Sequence, residues 1–475
     1  MKELDINKEL DCWIEENRNW MVEELKSWVS HPSVSRADLA APGAPYGPDC
    51  KKMLDFALQR GKELGFRTRN NEGYCGDIFY GDSEEEIGFV SHLDVVPEGE
   101  HWIYEPYNPI EKDGFVIGRG VGDNKGSAIL VLSALRFFKE KQIPLRKTLR
   151  LMLGLAEETG MADYKYYLEE LHGKVPAVSI VADAAFPVCY AQKGGYNATL
   201  LVPAGKDVLE FSAGSVRNNI PDEAKIVFQG IAVDEVKKAL SNNPKLDISE
   251  LEGKVQIISH GKAGHAAFPE AADNAIKLLA VALKESGITE KADLAGVDFI
   301  ADAFASPFGE GLGIAFSDEE SGKLTLNAGV IRKEKDSFRI EIDIRYPVTF
   351  EASEITDILT ERLKKENVVL TNLETANPYY INPKDKKVLA LMQIYKELTG
   401  DDAQPYAMGG GTYSRVIPNG ISYGPGLRTK RVLPEFLPEG HGGGHGPDEV
   451  LNIESWLLSF RIYVNSILKL DELDF

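Results

Sequence analysis

The chain has 475 residues, of which 43% are hydrophobic and 27% charged, and its formal net charge at pH 7 is −21. This length is typical of a globular protein with two or three domains. The strong negative charge argues against nucleic acid and against anionic membranes as partners, because proteins that bind them carry basic patches.

No apolar run approaches the roughly 20 residues that span a bilayer. The first residues also lack the hydrophobic region of a signal peptide. The four cysteines lie far apart and form no Cys-x-x-Cys motif: Cys12, Cys50, Cys75 and Cys189. We therefore expect a cytoplasmic protein with reduced thiols, and no metal held by cysteine.

The first part of the chain alternates strands with helices. Apolar residues at helical spacing predict helices over 9–29, 50–64 and 124–141. Short apolar runs predict strands over 66–69, 78–80, 87–90, 115–117, 149–155 and 178–182. This alternation is typical of an α/β sheet whose strands are largely parallel.

The pattern changes near residue 192. Segments rich in Val, Ile and Thr predict strands over 198–202, 226–228, 255–259, 324–331 and 338–344. Helices are predicted over 274–285 and 353–365, and Ser353 is the predicted N-cap of the second helix. This is α+β character, so we predict a second domain over 192–380, inserted into a discontinuous first domain formed by 1–191 and 381–475. Such insertion is tolerated where the entry and exit points lie close together.

Acids and histidines follow the predicted strands of the first domain. His92 and Asp94 follow one strand, the adjacent acids Glu157 and Glu158 another, and Asp183 a third; Asp123 and His445 lie in glycine-rich loops. Ligands of α/β sheets gather at the carboxyl ends of strands. Each signal is weak alone, since a His and an Asp can be ordinary loop residues, and paired acids also suit a helix N-terminus.

Together these side chains can hold two divalent cations. Each cation would take one imidazole and one carboxylate, with a further carboxylate shared between the two. The imidazoles favour Zn over Mg or Ca, with Mn or Co as alternatives. Without cations, so many neighbouring carboxylates would repel one another. One of the adjacent glutamates could bind a cation while the other acts as a general base.

Several motifs in this order resemble one enzyme family along nearly the whole chain. They are Ser-His-Leu-Asp-Val-Val-Pro at 91–97, Gly-Arg-Gly-Val-Gly-Asp-Asn-Lys-Gly at 118–126, Glu-Glu-Thr-Gly at 157–160, Gly-His-Ala-Ala-Phe-Pro-Glu at 264–270 and His-Gly-Pro-Asp-Glu at 445–449. The chain resembles the dinuclear metallo-exopeptidases that include aminoacylase, carnosinase and the dipeptidase PepV. The long insertion, Asp-Ile-Arg-Tyr-Pro at 343–347 and Gly-Gly-Gly-Thr-Tyr at 409–413 are most similar to the PepV branch.

The resemblance assigns a role to each candidate. It implies His92 and Asp183 as terminal ligands of one cation, Glu158 and His445 as those of the other, and Asp123 as the bridge. It implies that Glu157 is the general base, that Asp94 orients His92, and that the Asp123–Asn124 peptide bond is cis.

In the inserted domain the resemblance points to Asn218, His265 and Arg345. His265 would donate to the developing oxyanion, and Arg345 would clamp the substrate's carboxylate together with backbone donors of the Gly410–Thr412 loop. Simpler interpretations are a surface histidine and a surface charge. His441 is expected to be a decoy beside His445, and the remaining histidines are expected to be solvent-exposed: His31, His101, His172 and His260.

These features imply a cytoplasmic zinc-dependent dipeptidase of broad specificity. Metal-bound hydroxide would attack the scissile carbonyl with Glu157 as general base, the inserted domain would act as a lid, and the enzyme would be a monomer. One alternative is an N-acyl-amino-acid amidohydrolase with the same metal site. Another is a binding or scaffold protein that has lost catalysis.

Overall fold

A computed structural model describes residues 6–428 and 432–475 of the chain. The chain divides into two compact units. The first comprises Met1–Tyr190, Ile381–Tyr406 and Thr412–Phe475, and the second Ala191–Tyr380 and Ala407–Gly411. The predicted fold class is confirmed, because the first unit is α/β and the inserted second unit is α+β.

The first unit is built on a mixed sheet. Its neighbouring strands are, in order, Arg67–Asn71, Cys75–Tyr80, Thr148–Gly154, Glu86–His92, Val178–Val181, Gly420–Tyr423 and Val188–Gln192. The four strands from Thr148–Gly154 to Gly420–Tyr423 are mutually parallel, whereas the pairs nearer the edges are antiparallel. The parallel strands therefore end at one common edge.

Helices and short strands complete this unit. The helices are Ile6–Val29, Pro48–Glu63, Lys125–Glu140, Ala162–Glu169, Lys386–Thr399 and Ile453–Glu472. The short strands are Ile110–Lys112, Phe115–Ile117, Ala184–Phe186, Pro425–Leu427 and Val450–Asn452. Lys125–Glu140 is the most buried helix of this list, and it packs against Ile6–Val29 and Ile453–Glu472.

Alternation along the strands builds a core on each face of this sheet. On the strand Glu86–His92, Ile87 and Phe89 join the large core under the long helices, while Val90 joins a smaller cluster with Tyr164 and Tyr413. Successive side chains of a strand point to opposite faces, so a strand buried on both faces is apolar throughout. This explains the continuous apolar runs in the sequence.

The second unit contains an antiparallel sheet with helices. Its strands are, in spatial order, Leu246–Leu251, Lys254–His260, Glu223–Phe228, Val208–Ala213, Thr325–Glu334, Ser337–Tyr346, Gly194–Pro203 and Val369–Ala376. Its helices are Val233–Ala239, Ala275–Glu285, Ile288–Lys291, Val297–Ala303 and Ala352–Lys364. A two-stranded ribbon pairs Asn219–Ile220 with Gly264–His265.

Two local predictions are wrong. Ser353 lies inside the helix Ala352–Lys364; Glu351 is the N-cap, and its N–H donates to the Glu354 carboxylate at 2.9 Å. His31 is half-buried and stacks on Phe56 with ring centroids 4.2 Å apart, so it is not solvent-exposed. Among the helices of the described residues, none is both long enough and apolar enough to cross a bilayer.

Candidate active site

The predicted acids and histidines of the first unit meet at the common edge of the parallel strands. His92 ends the strand Glu86–His92, and Glu157 and Glu158 lie just beyond the neighbouring strand Thr148–Gly154. Asp183 follows Val178–Val181 on the other side. Parallel strands bring residues far apart in sequence to one edge of the sheet.

A small antiparallel sheet brings Asp123 and His445 to the same place. Phe115–Ile117 precedes the Asp123 loop, and it pairs with Val450–Asn452, which follows the His445 loop. The two glycine-rich loops are therefore neighbours. His445 has a backbone φ of 63°, a left-handed conformation that non-glycine residues adopt uncommonly.

The Asp123 carboxylate lies between two imidazoles. Its Oδ1 is 3.0 Å from His92 Nε2, and its Oδ2 is 3.2 Å from His445 Nε2. His92 Nε2 is also 3.9 Å from Asp183 Oδ2, and His445 Nε2 is 3.0 Å from Glu158 Oε1. Each oxygen of Asp123 therefore faces a different histidine that has its own second carboxylate.

These side chains form two overlapping groups that could each hold a cation. One group is His92, Asp123 and Asp183, and the other is Asp123, Glu158 and His445; within each, the donor atoms lie within 4.8 Å of one another. A third group joins His92 with Glu157 and Glu158. The predicted ligands are thus brought together, with Glu157 beside them.

The electrostatics of the cluster reflect an excess of carboxylates over imidazoles. Burial raises the pKa of Glu157 well above its usual value, and Asp183 adds to the effect. Burial likewise raises the pKa of Asp183 to about 7. Hydrogen bonds to Asp123 and Glu158 raise the pKa of His445.

The donor set fits two divalent cations. Imidazole nitrogens and carboxylate oxygens are ligands for Zn, Mn and Co. Positive charge placed between the carboxylates would offset the cost of burying their negative charges and the repulsion between them. The residues that would hold the cations are His92, Asp123, Glu158, Asp183 and His445.

Asp94 does more than orient His92. His92 Nδ1 lies 2.9 Å from the Asp94 backbone oxygen and 3.4 Å from its carboxylate, so the carbonyl is the nearer partner. The Asp94 carboxylate instead accepts the backbone N–H groups of Glu157 and Glu158, at 3.2 and 3.1 Å. It therefore holds the turn that carries both glutamates.

Asn124 was missed by the sequence analysis as a supporting residue. Its side-chain Nδ2 donates to the Ala182 oxygen at 2.8 Å and to Asp183 Oδ1 at 3.0 Å, and its Oδ1 accepts from Ser91 Oγ. One amide thus links the ends of two strands that carry candidate ligands. The peptide bond between Asp123 and Asn124 is cis, as the resemblance predicts.

The acids after His445 are also supporting residues, and their role was not predicted from the sequence. Glu449 is buried, pairs with Arg119 at 3.0 Å, and accepts the N–H groups of Gly120, Gly122 and Asp123 at 2.9 Å each. The signal available in the sequence was a pair of adjacent acids, Asp448 and Glu449, after a glycine-rich motif.

Asp448, the acid just before Glu449, explains the position of His441. The Asp448 carboxylate accepts the N–H groups of Ile103 and Tyr104, and it lies 2.6 Å from His441 Nδ1. His441 belongs to none of the candidate cation groups among residues 6–428 and 432–475. It instead helps to hold the glycine-rich loop that carries His445.

In the second unit, Asn218 and His265 lie together at the two-stranded ribbon. The Ala266 N–H donates to the backbone oxygen of Asn218 at 2.9 Å. The Ala267 N–H donates to His265 Nδ1 at 3.1 Å, so the neutral ring carries its proton on Nε2. In this tautomer Nε2 is a hydrogen-bond donor. The His265 side chain is exposed.

The residues predicted to bind a carboxylate have their own partners. Arg345 forms a bidentate pair with Asp343 through Nε and Nη2, at 2.7 Å each, which leaves Nη1 directed away from Asp343. The Thr412 hydroxyl accepts from the Ser414 N–H and contacts Ser422 Oγ. A Cβ on Gly409 would lie 2.7 Å from the Ala267 side chain. Gly409, just before the Gly410–Thr412 loop, therefore packs against Ala267, two residues after His265.

A family model identifies the class of protein. The model described as Peptidase family M20/M25/M40 matches residues 88–469, which is more than half of the chain. The chain therefore belongs to this family, and it is a hydrolase of peptide bonds. The family is metal-dependent, in agreement with the candidate cation groups. The family membership that the resemblance predicts is thereby confirmed.

Relatives of similar length align with most of the chain. "Putative dipeptidase YtjP" of Bacillus subtilis is 29% identical over 464 residues, which cover 95% of this chain and 97% of the relative. A Staphylococcus epidermidis protein with the same descriptive name is 30% identical over 430 residues, covering 86% of this chain and 90% of the relative.

Solved structures share the fold. Human carnosine dipeptidase 1 is similar with a TM-score of 0.57 and 14% identity, covering 98% of this chain and 100% of that one. The dipeptidase Dug1p of Saccharomyces cerevisiae has a TM-score of 0.58 and 12% identity, covering 98% and 99%. At these identities the likeness shows the fold alone.

Proposed function

We propose that this enzyme is a dipeptidase that hydrolyses the peptide bond of dipeptides with broad side-chain specificity. The observation that carries the proposal is the position of Asp123, whose two carboxylate oxygens face His92 and His445 separately. A carboxylate placed in this way suits a bridge between two cations. The dipeptidase names of relatives that match almost end to end support the substrate class.

Two divalent cations are proposed to bind at this site, one to His92 and Asp183 and the other to Glu158 and His445, with Asp123 shared. When bound, they would supply Lewis acidity at the scissile carbonyl and lower the pKa of the attacking water. Zinc is the metal we propose, because imidazole is a ligand that zinc favours over magnesium or calcium.

Glu157 is proposed as the general base. Its backbone N–H is held by Asp94, and its carboxyl lies within the candidate group that includes His92 and Glu158. In the metal-free protein, burial raises the pKa of this carboxyl well above its usual value. Glu157 takes one proton from the attacking water while the water oxygen bonds to the carbonyl carbon. The same proton then passes to the amine nitrogen as the C–N bond breaks.

His265 is proposed to donate a hydrogen bond to the carbonyl oxygen as it gains negative charge. The Ala267 N–H donates to Nδ1, so the proton of the neutral ring lies on Nε2, and His265 needs no prior protonation to act as a donor. A donor fixed in this way stabilises the tetrahedral oxyanion more than the ground-state carbonyl. Asn218, held beside His265 by the ribbon, is proposed to contact the same substrate.

The substrate's terminal carboxylate is proposed to bind at Arg345 and at the Gly410–Thr412 loop. Asp343 occupies Nε and Nη2 of Arg345, so Nη1 would make the contact. Thr412 would contribute its backbone, because its hydroxyl caps the turn at Ser414. Anchoring of the terminal carboxylate is proposed to limit hydrolysis to very short peptides, with the second unit serving as a lid.

A substrate panel tests this proposal. Zinc-loaded enzyme is given alanyl-alanine, the matched N-acetyl dipeptide, a tripeptide and N-acetyl-alanine, and product amines are quantified. We expect the free dipeptide to be hydrolysed with the highest kcat/KM. Preferential hydrolysis of N-acetyl-alanine would instead establish the amidohydrolase, and preference for the tripeptide would also contradict the proposal. The cytoplasmic location and the monomeric state stay predictions.

A further inference from the structure

Asp163 is a fully buried acid whose carboxylate touches none of the candidate ligands. It lies in the first turn of the helix Ala162–Glu169. Its Oδ2 accepts the N–H groups of Leu155 and Ala156, at 2.7 and 3.0 Å, and the Tyr413 hydroxyl. Its Oδ1 accepts the Tyr164 N–H at 2.8 Å. A buried carboxylate is costly unless such donors satisfy it.

Asp163 and Asp94 together hold one continuous stretch of backbone. Asp163 takes the N–H groups of residues 155 and 156, and Asp94 takes those of residues 157 and 158. Four consecutive N–H groups are thus bound by two buried carboxylates. This fixes the direction in which the chain leaves the strand Thr148–Gly154, and with it the placement of Glu157 and Glu158.

Asp163 also binds Tyr413, the residue that follows the Gly410–Thr412 loop. Tyr413 is fully buried, and its ring meets that of Tyr164 edge-on at 4.7 Å between centroids. Gly154 makes room for the bond, since a Cβ there would lie 2.0 Å from the Tyr413 oxygen and 2.7 Å from Asp163 Oδ2. The end of the glycine loop is therefore anchored to the acid that holds the glutamate turn.

We propose that Asp163 is a positioning residue that sets the Glu157–Glu158 turn and the end of the glycine loop together, through its bond to Tyr413. This inference rests on the proposed function, in which the turn supplies the base and one cation ligand and the loop receives the substrate's carboxylate. Misplacing a catalytic group by about 1 Å can cost about 100-fold in rate. Asp163 thus couples substrate binding to base placement through one carboxylate.

Three substitutions test the proposal in the full-length, zinc-loaded protein. Asp163→Asn keeps the shape but replaces an acceptor oxygen with a donor, and Tyr413→Phe removes only the hydroxyl bond. Tyr164→Phe is the matched control, because the Tyr164 hydroxyl is buried in the same cluster and makes no hydrogen bond within the described residues. The measurements are kcat and KM for alanyl-alanine, the unfolding temperature, and affinity for Co²⁺ by optical titration of the metal-free protein.

We expect Asp163→Asn to lower kcat by about 10- to 100-fold and to weaken Co²⁺ binding by about tenfold, because the turn carries both the base and a ligand. Tyr413→Phe should raise KM by about 3- to 10-fold with a smaller loss in kcat. The double variant should lose less than the product of the two single effects, since both act on one bond. Tyr164→Phe should match the wild type in all of these.

The proposal is overturned if the Asp163→Asn and Tyr413→Phe effects multiply, or if both variants lose stability while kcat, KM and Co²⁺ affinity per folded molecule stay at wild-type values. If Asp163→Asn does not fold, Tyr413→Phe decides alone, because it leaves the carboxylate and its backbone bonds in place. A wild type that does not hydrolyse dipeptides would refute the proposed function, whereas the Co²⁺ titration would still test the role of Asp163.

Discussion

The backbone N–H of Asp123 donates to the Glu449 carboxylate at 2.9 Å, although the two residues are 326 positions apart. The same carboxylate binds Arg119 and two further N–H groups of the Asp123 loop. Glu449 lies four residues after His445, so this acid joins the two loops that supply candidate ligands. The loops are expected to behave as one rigid support for the cations.

Replacing Glu449 with Gln should weaken cation binding. The amide presents an NH₂ group toward N–H donors and removes the negative charge that Arg119 neutralises, so the Asp123 loop should loosen. Loss of such a supporting bond typically costs about 10- to 100-fold in metal affinity. Zinc affinity is measured by competition with a chromophoric chelator. Glu439→Gln, at an exposed position in the same part of the chain, is the control. Unchanged affinity in Glu449→Gln would disprove the supporting role.

Replacing Glu157 with Gln should separate metal binding from catalysis. We expect two zinc ions per chain to remain, because each candidate cation group that shares Asp123 is complete without Glu157. The rate should fall by about 10²- to 10⁴-fold with loss of the general base. Metal is quantified by mass spectrometry and kcat by amine release. Glu158→Gln is the comparison, and this variant should lose bound metal in addition to activity. Substantial turnover by the Glu157→Gln variant would show that Glu157 is not the general base.

Replacing His265 with Asn should lower kcat without changing the metal site. The substitution removes the Nε2–H that the neutral ring carries while the Ala267 N–H donates to Nδ1. Loss of one donor to an oxyanion typically costs about 10²- to 10³-fold in kcat. His101→Asn, at a histidine whose side chain is 82% exposed, is the control. Equal rates for the two variants would show that His265 is an ordinary surface residue.

The stability of the metal-free protein should depend on the charge state of Asp163. Burial raises the pKa of this carboxyl to about 6, and the charge on Asp94 adds to the effect. The unfolded chain therefore holds fewer protons here than the folded protein between about pH 4 and pH 6, so this contribution to stability is lost as pH rises through about 6. The free energy of unfolding is measured in urea for the wild type and for Asp163→Asn. The wild type minus the variant should give a larger value at about pH 5 than at about pH 7. A difference that does not change with pH would contradict this account.

The candidate ligands could be predicted because each carries a local signal. His92, Glu158 and Asp183 follow apolar runs that form parallel strands, and Asp123 and His445 stand among glycines. Strand ends of a parallel sheet share an edge whatever the sequence between them. Spacing and residue type were therefore enough to propose one site.

The supporting residues carry much weaker signals. Asp163 lies in the first turn of a helix, where an acid is common for electrostatic reasons alone. Its contact with Tyr413 spans 250 positions, and nothing near either residue announces it. Asp94 was predicted to orient His92, and the structure adds that its carboxylate accepts the backbone N–H groups of Glu157 and Glu158. Contacts of this kind follow from tertiary packing and cannot be inferred from neighbouring residues.

The central claim is that Asp123 is shared between two cations. Crystals of the zinc-loaded enzyme, measured on both sides of the zinc absorption edge, test it directly through the anomalous difference density. Our account predicts two peaks, one against His92 and Asp183 and the other against Glu158 and His445, with one oxygen of Asp123 on each. A single peak, or a second peak held by Glu157 in place of Glu158, would contradict it.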